Sequence, residues 1–225
     1  MNALHNANIQ DENCSGPASF AFPDVQNSKT GESVRYVEAP ERKWYVLRIK
    51  YGKAQAVADS MIHNGTYVYM ARIWKDFIDK KSGQKHRKLI PFMNLLFAYV
   101  TENEAERYVK ESVDSKYITY YYNHFTTNRY GVNPPLTISS EEMEPLVRAT
   151  SILDEHVMEV DIKKCRFKSD DIVRVTQGPF EGVRGRVARV YRQQRVVVYI
   201  KGLNSGLTTA YIPSHYLAKV GKEVK

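Results

Sequence analysis

The chain has 225 residues, 43% of them hydrophobic, which is enough for one large or two small cores, and no run approaches the apolar length of a membrane-spanning helix. With 33 Lys and Arg against 25 Asp and Glu, the net charge is +8, which favours a polyanionic partner. Cys14 and Cys165 are too few for a disulfide framework and lack zinc-site spacing, and the polar N-terminus lacks the apolar stretch of a signal peptide, so a cytoplasmic protein is expected.

The charge is uneven. Residues 1–40 carry two basic and five acidic groups, whereas 41–150 carry 17 and 12, and 151–225 carry 14 and eight. Residues 1–40 are rich in Asn, Ser, Asp and Gly with no sustained period, and read as a disordered tail containing the scattered aromatics Phe20, Phe22 and Tyr36.

Residues 41–150 read as one α/β unit. The alternation in KWYVLRIK predicts a strand over 43–50, broken at Gly52. A helix over 53–64 puts Ala54, Val57, Ala58, Met61 and Ile62 on one face, and Asn64-Gly65 stops it. Strands follow at 66–73, 89–92 and 95–100, the last two split by Met93-Asn94. Thr101 with Glu104 predicts a capping box for a helix over 102–112. After a strand at 117–122, Ser139–Ser140 cap a helix at 141–150, with acidic residues in its first turn. The order implies an antiparallel sheet with helices on one face. Residues 151–167 read as a linker or a short leading strand, and 168–225 as a small β-barrel of four or five strands. The fold class is α+β.

The most specific stretch is 170–190, DDIVRVTQGPFEGVRGRVARV. Pro179 fits a turn and not a ladder, and Gly182 and Gly185 stand where positive φ or a bulge is expected. The spacing resembles the KOW motif. KWYVLRIKYGK resembles the opening strand of an NGN domain, PFMNLLFAYV its F-P-[GN]-Y central strand, and VTQGPFEGVRG the loop of its KOW partner. Together they resemble the NusG family of transcription elongation factors over roughly 42–221. HRKLIPFMNLLFAYV, RVVVYIKGL and HYLAKV look most like the UpxY paralogues, antiterminators of capsular polysaccharide operons. Met93 and Leu95 stand where the family has proline and tyrosine, and the basic loop before that strand and the N-terminal tail are longer than in a general factor.

The resemblance implies an apolar depression that grips the clamp helices of RNA polymerase, formed here by Trp44, Tyr45, Phe92, Leu95 and Phe97 with Tyr67 and Tyr69 as walls. That reading requires nonpolar side chains beside Phe92 to face outward. Alternation alone makes about half of them ordinary core. A run of Lys80, Lys81, Lys85, His86, Arg87 and Lys88 around a Ser82-Gly83-Gln84 tip is expected to track phosphates of upstream or non-template DNA. Lys50, Arg72, Lys75, Lys116 and Arg129 extend that field; a solvated charged loop is the bland alternative. In the KOW unit, Phe180 with Arg184 and Arg186 would meet ribosomal protein S10, the termination factor Rho or nascent RNA. Five arginines (184, 186, 189, 192 and 195) form a face suited to RNA or an acidic protein loop, or one that simply blocks edge pairing. No catalytic motif occurs and the six histidines are scattered, so neither enzyme activity nor a cofactor is expected. A monomer is expected. The rival readings are a general elongation or termination factor and a ribosomal-type RNA-binding protein.

Overall fold

A computed structural model describes residues 20–222. The chain opens with a two-stranded hairpin, β1 (Val25–Gln26) and β2 (Ser33–Val34). It is held by Asn27, whose Oδ1 accepts from the backbone N–H groups of Lys29 and Thr30 in an Asx turn. Residues 20–38 therefore form an ordered strap, which corrects the expectation of a disordered tail as far as residue 20; its remainder, 1–19, lies outside the described residues. The sequence lacks periodicity there because the strap is fixed by side-chain hydrogen bonds and aromatic contacts to other elements.

The first unit is built on β3 (Lys43–Ile49), the helix α1 (Ala54–His63), β4 (Tyr67–Tyr69), the hairpin β5 (Arg72–Ile78) and β6 (Lys85–Pro91), then β7 (Leu95–Val100). The helix α2 (Glu102–Lys110), β8 (Ile118–Tyr120), β9 (Thr137–Ile138) and the helix α3 (Ser140–Ser151) complete it. Helix ends follow the local chemistry. α1 stops in a Schellman arrangement, with Gly65 at φ +75° and Thr66 N–H bonded to Met61 O at 2.9 Å. Thr101 with Glu104, and Ser139 with Glu142, form the capping boxes of α2 and α3. The antiparallel sheet runs β4-β7-β3-β8, with β9 also on β3, so the KWYV and FMNLLFAYV strands lie side by side, Trp44 opposite Tyr99.

Both faces of this sheet are covered. Tyr45, Leu47 and Ile49 alternate toward α1 and α2. Trp44, Val46, Leu95, Phe97 and Tyr99 face the other way, into a cluster shared with α3, the strap and the barrel. Helices on one face only is therefore corrected: α3 lies opposite α1 and α2, because its apolar positions Met143, Leu146 and Val147 join the second cluster.

The barrel sheet comprises β10 (Met158–Asp161), β11 (Arg166–Val175), β12 (Arg184–Val190), β13 (Gln193–Tyr199), β14 (Ser205–Tyr211) and β15 (Leu217–Lys222), ordered β10-β14-β13-β12-β11-β15. β10 makes the connecting segment partly strand, and β11 begins two residues before the expected boundary. Gly185 does not bulge. An added Cβ there would lie 2.3 Å from Val197 O, so glycine is required for close strand approach. Buried Arg195 donates to His156 O at 2.9 Å and Thr209 O at 3.0 Å, tying the connecting segment to the barrel.

Candidate functional site

The residues expected to form an exposed apolar depression do come together, but inside the molecule. Trp44, Tyr45, Tyr67, Phe92, Leu95 and Phe97 are all buried, Phe92 at 1% exposure; Tyr69 alone is partly exposed. This corrects the expectation of an outward-facing patch beside Phe92. Tyr45 faces α1 and α2; the others join the opposite cluster.

The cover over that second face is specific. Tyr36 of the strap stacks on Trp44 with centroids 5.6 Å apart and planes 8° apart, and its hydroxyl lies 2.8 Å from Ser140 Oγ. Trp44 Nε1 donates to the same Ser140 Oγ at 3.3 Å. Phe22 packs on both rings, Tyr67 donates to Pro23 O at 2.6 Å, and Tyr99 donates to Ala39 O at 3.0 Å. Burial pushes the Tyr36 phenol up to about 12. The strap is anchored on α1, where Asp59 accepts from Ser28 N–H at 2.8 Å, Ser28 Oγ at 2.6 Å and Gln55 Nε2 at 2.9 Å. Burial raises that carboxyl, but these hydrogen bonds outweigh it and hold it below its ordinary value.

The barrel adds to the cover. Phe180, expected at an exposed loop tip, is buried in the shared cluster. Its loop docks on α3: Glu144 pairs with Arg148 at 2.8 Å and with Arg184 at 2.9 Å, and a Cβ on Gly182 would meet the Arg148 guanidinium at 2.8 Å. Arg186 bonds Ser169 O and Asp170 and lies over Phe167 at 3.9 Å. The trio Phe180, Arg184 and Arg186 is thus engaged within the molecule, which corrects its reading as an open partner face.

The basic loop is the β5–β6 hairpin, its tip closed by Asp79 and Gln84. Lys75 and Lys88 sit directly opposite each other, two exposed like charges with no carboxylate partner among the described residues. Lys85 is exposed at the tip end. Arg87 is different: it pairs with Asp76 at 2.6 Å and with Glu155 of the connecting segment. Trp74 donates to Leu153 O at 2.8 Å, so the hairpin base is tied to that segment. Arg72 bonds Gln55 on α1.

Lys50 and Lys116 are exposed at the start of β8, and Arg129 is exposed in the loop 123–134 that follows it. Lys116 and Lys53 both lie over the Tyr117 ring, at 5.0 and 5.9 Å, and Tyr51 meets that ring edge-on. Arg129 covers Tyr130 at 4.7 Å. Cations beside exposed rings suit unpaired bases and phosphates together. The hairpin and the β8 edge are therefore the free basic surfaces of the first unit. Sequence reasoning missed the strap, whose only signal was its three aromatics, of which Phe22 and Tyr36 reach Trp44 and Phe20 packs on Phe22.

Among the described residues, no helix is long and apolar enough to cross a membrane, and no group of His, Cys, Asp and Glu could hold a metal ion. In comparisons with known proteins, the KOW motif family matches residues 170–201, covering the loop and strands β12 and β13. A search of the curated proteins finds no match. The chain therefore contains a KOW motif, as do proteins of the NusG and ribosomal types, within an α+β architecture.

Proposed function

We propose that this protein is a NusG-like transcription antitermination factor. Its first unit would dock on the clamp helices of RNA polymerase, and its basic hairpin and β8 edge would steady the adjacent DNA. The observation that carries this reading is the arrangement of the two resembling strands. KWYVLRIK and FMNLLFAYV pair with each other in one sheet, and a KOW barrel follows directly after α3. By resemblance, the operons served would be those of capsular polysaccharide synthesis.

Docking through Phe92, Leu95 and Phe97 requires α3, the strap and the barrel, which share their cluster, to give way, since those side chains are buried in the free chain. The clamp helices would have to favour the uncovered arrangement by more than the cover favours the closed one. Once docked, a unit bridging the clamp would slow pausing only if it bound the closed clamp more tightly than the open one.

Affinity capture of the tagged full chain from its native cell tests the class of partner. Recovery of polymerase core subunits is the expected outcome. A read-through assay on a capsule-operon leader then tests antitermination, with read-through expected to rise only downstream of that leader. A ribosomal-type RNA-binding role is the second reading, favoured by the sealed sheet face, and recovery of ribosomal subunits without polymerase would establish it instead. A general elongation or termination factor would act on any leader.

A further inference from the structure

The loop between β8 and β9 carries four apolar side chains that folding does not use. Residues 123–134 close on themselves through Asn123 N–H, which donates to Pro134 O at 2.9 Å. Tyr122, Phe125, Tyr130 and Val132 all stand exposed, Phe125 at 62% and Tyr130 at 72%. Among the described residues, none of the four joins either apolar cluster. Single exposed apolar residues are ordinary on a protein surface, but several gathered on one short loop mark an interaction surface.

The loop is also built to hold its shape. Asn128 Oδ1 accepts from Tyr130 N–H at 2.9 Å and from Val132 N–H at 3.0 Å, and Asn123 Oδ1 accepts from Phe125 N–H at 3.0 Å. Asn133 Nδ2 donates to Asn123 O at 2.8 Å and to Thr126 O at 2.9 Å. Three asparagines therefore fix the backbone from which Phe125 and Tyr130 project. Rings on a preorganised backbone lose little freedom when bound, which suits a protein-binding hot spot.

Charge selects the kind of partner. No carboxylate occurs between Asp114 and Glu141. Arg129 lies over Tyr130 at 4.7 Å, and Arg48 lies over Tyr121 at 5.0 Å at the base of the loop. A second copy of this chain would bring like charges together, which opposes self-association. Within 123–134, Arg129 is the sole Lys or Arg, too little charge to follow a phosphate backbone. The fitting occupant is a protein surface whose apolar pocket is bordered by carboxylates.

The far end of the loop leads to the cover. Leu136 and Ile138, just beyond it, are buried in the shared cluster, and Ile138 stands opposite Trp44. Ser140 follows, and its Oγ meets both the Tyr36 hydroxyl and Trp44 Nε1. A partner seated on the loop stands beside the node that locks the strap.

From this we infer that the loop is where RNA polymerase first engages the closed chain, seating Phe125 and Tyr130 in such a pocket while Phe92 is still covered. The inference rests on the polymerase reading above and assigns the initial contact to a surface other than the sheet face.

The test is biolayer interferometry of the immobilised full chain with RNA polymerase core, over roughly 50–150 mM salt. Phe125→Ser with Tyr130→Ser should weaken binding at least about tenfold. Arg129→Glu should weaken it about fivefold or more, with the larger loss at the lower salt. Asn128→Ala keeps both rings but frees their backbone, and should weaken binding about threefold or more. All four positions are exposed, so unchanged melting curves should accompany these losses. No binding by the parent chain would overturn the polymerase reading and the inference with it. Binding by the parent with equal affinity in the double-ring variant would overturn the inference alone. If that variant instead lost binding to single-stranded DNA, or lost a dimer seen for the parent in sedimentation velocity, the loop would belong to another occupant and the inference would fall.

Discussion

Phe92 sits in the apolar cluster that joins the first sheet, α3 and the barrel. Read as an exposed anchor, its replacement by alanine should weaken partner binding and leave folding alone. At 1% exposure, Phe92→Ala instead opens a cavity and should cost about 3–5 kcal/mol, visible as a lowered denaturant midpoint. A midpoint within error of the parent would mean that the side chain is not in the core. Asp59 makes the complementary prediction for the strap. Its folded carboxyl is held below the ordinary value by Ser28 and Gln55, despite burial. Its contribution is therefore complete above the ordinary carboxylate value and is lost as pH falls through the lowered one. Strap protection should be flat from about pH 8 to 5 and should fall in more acid solution. Asp59→Asn should remove about 2 kcal/mol and shrink the acid loss of protection, leaving the part due to Glu32, whose carboxyl is held low by its hydrogen bond with His63. Amide exchange of residues 25–34 checks both.

The elements show how much could be read from the sequence. α2 and α3 were legible because Thr101 with Glu104, and Ser139 with Glu142, satisfy helix N-termini by local chemistry alone. The barrel was legible from Gln177 to Gly185, where turn and apolar alternation agree. The direction in which strands face was not, because Trp44 and Phe97 alternate identically whether the far side is water or a strap. The role of Gly185 was misread for the same reason, since close approach to Val197 O depends on a distant strand. Gly185→Ala should therefore destabilise the barrel by about 1–3 kcal/mol or prevent its folding, as followed by thermal melting. At the β5–β6 hairpin, charge reversal is informative at Lys75 and Lys88 and not at Arg87, which holds Asp76 and Glu155. Lys75→Glu with Lys88→Glu should weaken binding to duplex DNA and reduce the salt slope by about 1.8. A slope equal to the parent's would remove the hairpin from any DNA interface.

At the scale of the whole molecule, one apolar cluster runs from Trp44 and Phe97 through α3 to Phe180 and Val198 of the barrel. The strap closes its side through Tyr36 and Phe22. This arrangement leaves the cations of the first unit, Lys75 and Lys88 of the hairpin with Lys50 and Lys116, facing outward. It also sets the condition for the proposed function, since the sheet face that would meet polymerase is occupied by the chain's own aromatic side chains. The most direct test is hydrogen–deuterium exchange of residues 20–38 in the full chain, alone and saturated with RNA polymerase core. Slow exchange is expected in the free protein, with a loss of protection over the strap on binding. Binding with strap protection unchanged, or no binding at all, would contradict docking through the covered face.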